Sequence, residues 1–116
     1  MEKRIELESF LTVGDKHRTD HLAFFALINL GLIESLANGS ISATEAVGRF
    51  YFADNCLAVR KILKDKMADR IMSHGVQLPD LFDCLPIEEA HQEFLHELAV
   101  MKNLCLQLVE RGRKVA

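Results

Sequence analysis

Apolar residues recur along this chain at intervals of three and four rather than two. That is the spacing of one face of an α-helix, not of a half-buried strand. The only two prolines, Pro79 and Pro86, lie seven apart, so the chain elsewhere is free of its strongest helix breaker. The pattern predicts an all-α fold in a single domain over 1–116: a small helical bundle of three long helices plus one short N-terminal helix, completed by dimerisation. The short helix covers about 4–12, where Ile5, Leu7, Phe10 and Leu11 share helical spacing and Gly14 offers a stop. The second runs over 17–37 and ends at Asn38-Gly39-Ser40.

A third helix, over 43–73, opens on Ser42-Ala43-Thr44-Glu45, which fits a capping box. His74-Gly75 closes it, and the apolar connection from Gly75 to Leu85 is expected to pack back on the bundle. The last helix, 86–111, starts with Pro86 at its first position, where the missing N–H costs nothing. Glu88 and Glu89 lie in its first turn and Arg111 in its last, matching the helix dipole.

Two features of this pattern argue for self-association. An unbroken third helix has roughly 32 residues and, at ~1.5 Å each, spans roughly 48 Å, longer than a globule of this size is wide. The middle of the second helix, Leu22 to Ile33, is apolar around its circumference apart from Asn29, so more than one side needs cover. On the last helix, positions 87, 91, 94, 98, 101, 105 and 108 form a heptad seam with His91 as its one polar member. The expected interface therefore takes Leu22, Phe25, Asn29, Leu32 and Leu36 from the second helix. From the last it takes His91, Phe94, Leu98, Met101, Cys105 and Leu108. A buried Asn29 without a partner costs about 1–3 kcal/mol, so it is expected to pair, either with its own copy across a two-fold axis or with an internal group.

Composition narrows the function more than it names it. With 116 residues the chain can bury a single core without staples. Its 14 basic and 17 acidic residues leave a net charge of −3, which predicts no bulk attraction to nucleic acid or anionic membrane. The twelve-residue apolar run is shorter than the ~20 residues of a bilayer span, so no membrane segment is expected. Three cysteines, Cys56, Cys84 and Cys105, in apolar surroundings and without a basic-then-apolar leader read as reduced thiols of a cytoplasmic protein.

Candidate chemistry is sparse. Glu-x-x-His occurs twice, at Glu88/His91 and Glu93/His96, a unit that metal-binding bundles use. At ~100° per residue, His91 and His96 point about 140° apart, so the two units are not one site. Only Glu88/His91 can share an ion, and only with a second helix or subunit. His17 and His21 lie one helical turn apart and form a second candidate pair without an evident third ligand. No nucleophile elbow or phosphate loop occurs, so no enzyme and no cofactor is expected.

The alternative function is nucleic-acid binding. The apolar face of 43–73 drifts between Ala58 and Leu63, and a break near Ala53 to Asn55 would make a helix-turn-helix. Its second piece carries Arg60, Lys61, Lys64, Lys66 and Arg70 against Asp65 and Asp69, cations suited to phosphates. The favoured expectation is a non-catalytic self-association or protein-interaction module.

Overall fold

A computed structural model of the chain describes residues 4–11 and 18–115. Among these residues there are six α-helices and no strand: α1 (Leu7–Leu11), α2 (Arg18–Ala37), α3 (Ala43–Arg49), α4 (Ala53–Ala58), α5 (Lys66–Cys84) and α6 (Ile87–Val115). A π-helical turn, Val59–Leu63, continues α4. The most extensive packing is α2 on α6, then α5 on α6. At ~1.5 Å per residue the 29 residues of α6 are ~43 Å long and set the long axis of a body measuring 47 × 33 × 22 Å.

The α5–α6 pair is an antiparallel hairpin. Asp65 meets Arg111 near its open end, His74 Nδ1 lies 2.6 Å from Glu97 Oε2 at its middle, and Phe82 packs edge-on to Phe94 near the turn. The turn itself is Leu85-Pro86, with Leu85 extended (φ −120°, ψ 153°), as the residue before a proline prefers. α2 also runs antiparallel to α6, its C-terminal Leu36 lying near Phe94. The heptad seam is real from Phe94 onward: Phe94, Leu98, Met101, Cys105 and Leu108 are all buried within one chain.

The predicted third helix is not continuous. α3 starts with the expected capping box, Ser42 Oγ accepting from Glu45 N–H at 3.1 Å and Glu45 Oε1 from Ser42 N–H at 3.0 Å. It stops after Arg49, and the chain turns at Phe50–Phe52 before α4. Asn55 holds that turn. Its side chain donates to Phe50 O (2.7 Å) and Ile5 O (2.6 Å) and accepts from Leu7 N–H (3.0 Å), so the N-terminal segment is stapled to the same corner.

A second break follows the π-helical turn. Lys64 adopts a left-handed conformation (φ 49°, ψ 47°) and Asp65 an extended one. The Asp65 carboxylate then caps α5 by accepting from Met67 and Ala68 N–H. The two breaks bring both apolar faces of 43–73, which drift apart in a straight helix, onto one core. They also remove the 48 Å rod that an unbroken helix would have formed.

The connection expected at 75–85 is helical instead, because α5 continues through His74-Gly75 and Pro79 to Cys84. Gly75 is a packing residue, not a stop: it is buried, and a Cβ there would collide with the Tyr51 ring. Pro79 cannot donate to the Gly75 carbonyl, so α5 forgoes one helical bond, while Leu78, buried beside it, holds the helix on the core.

Asn29 finds an internal partner rather than its own copy. Its Oδ1 accepts from Tyr51 O–H at 2.8 Å and its Nδ2 donates to Phe25 O at 2.9 Å. Tyr51 thus bridges α2 and α5, with Phe50 edge-on at 5.1 Å.

Candidate functional site

The surface left over after this packing defines the site candidates. On α2 the inward positions Leu22, Phe25, Asn29 and Leu36 are buried and Leu32 is half-buried. They meet α6 of the same chain, so the residues expected at an interface form the intramolecular seam. The opposite face of α2 is also apolar and is uncovered: Leu27 is 58% exposed and Phe24 39%, with Leu30 and Ala23 half-buried at its edge. Phe10 of α1 packs against Phe24 at 5.7 Å between ring centres and is itself half-exposed. The sequence signal for this face was the apolar circumference of 22–33, but periodicity alone did not say which side the chain covers itself.

From Asp20 to Ala37, α2 is long and apolar enough by length and composition to cross a bilayer, with mean hydropathy 1.3 over 18 residues. One third of that stretch is buried inside the molecule, along the side that carries Asn29.

His91 does not lie in a dry seam. It is exposed, as is Ile87 one turn earlier, because α6 turns its buried face to Ala90 and Phe94 here, and no element covers position 91. Glu88 is exposed beside it. No group of three or more metal-ligating side chains exists among the described residues, so neither Glu88/His91 nor His21 is joined by further ligands there. His17 lies outside the described residues. His21 is half-buried at the start of α2, and its Nε2 is buried without a hydrogen-bond partner among the described residues.

The five cations at 60–70 are all exposed but do not share one surface. Arg60 lines a hollow with Cys56 and Asp69, whereas Lys61 lines another with Glu6, Glu8 and Asp54. Lys64 occupies the left-handed corner, and Lys66 and Arg70 follow on the first turns of α5. Carboxylates interleave with the cations, so the strip is not a continuous phosphate track.

Asp65 is the most heavily engaged acid. Burial pushes its carboxyl upward, but the Ala68 and Met67 N–H groups and the Arg111 guanidinium, with Nη1 at 2.5 Å from Oδ2, outweigh that and hold it below its ordinary value. Neither Cys56 nor Cys105 is activated. Burial pushes Cys105 up to about 12 and raises Cys56 as well, and a raised thiol is a poor nucleophile.

Fold and site together define a small all-helical bundle with an apolar face exposed on its second helix. Comparison with protein-family models, with curated proteins and with solved structures finds no match to this chain.

Proposed function

We propose that this chain is a non-catalytic helical interaction module that self-associates as a dimer through the outer face of α2. The observation that carries this reading is the uncovered Leu27, with Phe24 and Phe10 beside it. Together these residues make a contiguous apolar patch of the kind that marks an interaction surface.

Gly31 supports the same reading. It sits mid-helix on this face, where glycine costs about 0.5–1 kcal/mol relative to alanine, yet no heavy atom lies within 4 Å of where its Cβ would be. Packing within the chain does not require it, whereas a second helix crossing at that point does. The exposed apolar line runs from Phe24 through Leu27 to Gly31, with Asp20 and Glu34 beyond its two ends, and Phe10 of α1 widens it beside Phe24.

Sedimentation equilibrium at about 50 μM tests the proposal. A dimer is expected for the native chain and a monomer for Leu27→Glu, both with unchanged helical circular dichroism. A monomeric native chain at that concentration overturns it.

A further inference from the structure

The pole where α2 ends, α3 begins and α5 turns into α6 holds an open hollow of about 690 Å³. Leu36, Ile41, Phe94 and Phe82 supply its apolar floor and wall. A shallower hollow formed by Ile87, Glu88, His91 and Gln92 joins it at His91. Two of the large apolar side chains that the chain leaves in water are here, Phe82 and, at 74% exposure, Ile87. The Phe82 ring is anchored edge-on to Phe94 at 5.2 Å, so it presents a fixed face rather than a loose one.

The charge around this pole has one sign. Residues 34–45 and 79–93 contain seven carboxylates and neither lysine nor arginine. Glu45 and Asp83 line the larger hollow and Glu88 the smaller. Glu45 is held ionised by the Ser42 N–H and hydroxyl that it meets in the capping box. The antiparallel helices carry Lys66 and Arg111 to the far end of the bundle, and Arg60 lies beside Asp69 and Ser73, so none of these cations neutralises the rim.

We infer that this groove docks a basic amphipathic helix of another protein. Apolar side chains of the incoming helix seat on Ile41, Phe82 and Ile87, and its flanking lysines or arginines face Asp83, Glu45 and Glu88. Helix-in-groove recognition has this form, with apolar anchors supplying affinity and rim charges supplying orientation and selectivity. The groove lies apart from the outer face of α2, so its occupancy stands independently of the dimer.

The test uses the full chain and a fluorescent 18-residue peptide of leucine and lysine patterned as an amphipathic helix, read by anisotropy at low salt. The control peptide keeps every leucine and replaces lysine by glutamate. The lysine peptide is expected to bind saturably, one per chain, and the glutamate peptide about tenfold more weakly or worse. The double variant Asp83→Lys/Glu88→Lys, both positions exposed, is expected to weaken the lysine peptide about tenfold. Glu6→Lys/Asp54→Lys makes the same change in net charge at another hollow and is expected to alter binding by less than about twofold. Leu27→Glu leaves peptide binding intact even where it abolishes the dimer.

Equal losses in the two double variants would mean attraction by net charge alone and overturn the proposal, as would indifference to the sign of the peptide. Salt-sensitive assembly of the chain without peptide, abolished by Asp83→Lys/Glu88→Lys, would make the occupant a second copy of this chain and overturn it too.

Discussion

The bond from Tyr51 to Asn29 is the most exacting test of the core. Tyr51→Phe removes one oxygen and leaves Asn29 Oδ1 buried with its donor gone. An unsatisfied buried acceptor costs about 1–3 kcal/mol, so a loss of about 1.5 kcal/mol is expected. Asn29→Ala removes the same bond, the Nδ2 bond to Phe25 O, and some volume, and is expected to cost about 2–3 kcal/mol. In the double variant neither orphan remains, and the cavity and the Phe25 bond are lost once, as in the single. Its cost is therefore expected to fall about 1 kcal/mol short of additivity. Urea unfolding followed by circular dichroism reads this directly, since a loss of about 1.5 kcal/mol moves the midpoint by about 1 M at a slope of about 1.5 kcal/mol/M. Additivity within about 0.3 kcal/mol, or a silent Tyr51→Phe, would refute the internal pairing. A two-fold Asn29 pair would produce that pattern, with the loss appearing as a concentration-dependent midpoint instead.

Further outcomes follow from the corners of the fold. Asn55→Ala removes three bonds, two that join Ile5 and Leu7 to the α3–α4 turn and one to Phe50 within it. It is expected to cost about 2–4 kcal/mol, with faster hydrogen exchange at the Leu7 amide than in α6. Gly75→Ala drives a Cβ into the Tyr51 ring and is expected to cost about 1–3 kcal/mol, less in a Tyr51→Ala background; an unchanged midpoint would contradict the packing. Gly31→Ala has the opposite sign, stabilising the monomer by about 0.5–1 kcal/mol while weakening the dimer, so that calorimetry and sedimentation move in opposite directions. For Asp65 the folded carboxyl titrates below its ordinary value of 3.8. Its contribution is complete above that value and is lost as the pH falls through the lower, folded one. Asp65→Asn is therefore expected to flatten the loss of stability between about pH 5 and about pH 2, measured by urea midpoints across that range.

Helical class and the outer boundaries were legible because they rest on local chemistry. Gly39, at φ +81°, ends α2, the Ser42/Glu45 box starts α3, and Pro86 opens α6 within one residue of its expected position. The interior of 43–84 was not legible, because its signals are non-local. Gly75 looked like a stop, and only the Tyr51 ring, twenty-four positions away, explains it. Asn55 looked like part of a break and is instead the residue that fastens the break to Ile5 and Leu7. The heptad seam was visible as a periodicity, but the same pattern serves an intramolecular neighbour and a second subunit equally well. The charged pole was hidden for a similar reason: residues 34–45 and 79–93 become one surface only once the end of α2 is known to lie beside Phe94 of α6.

The broken third helix also changes what supports assembly. Its 48 Å length was one reason to expect a partner, and the turns at Phe50–Phe52 and Lys64–Asp65 remove that reason by folding the segment back on α2 and α6. The seam on α6 was a second, and burial of Phe94, Leu98, Met101, Cys105 and Leu108 within one chain uses that surface. What remains is the circumference of α2. A helix with one apolar side packed on α6 has no need of a second, and leaving Phe24 and Leu27 in water disfavours the isolated chain by the transfer free energy of those side chains, about 1.5–3 kcal/mol for each one fully covered. With Leu27 58% and Phe24 39% exposed, covering what remains gains roughly 1.5–3 kcal/mol per copy and so roughly 3–6 kcal/mol for a symmetric pair, against an association cost of roughly 4–15 kcal/mol. That margin is thin enough for one charge to decide. Leu27→Glu places a carboxylate on each side of the contact, and a dimer that survives it cannot be built on this face.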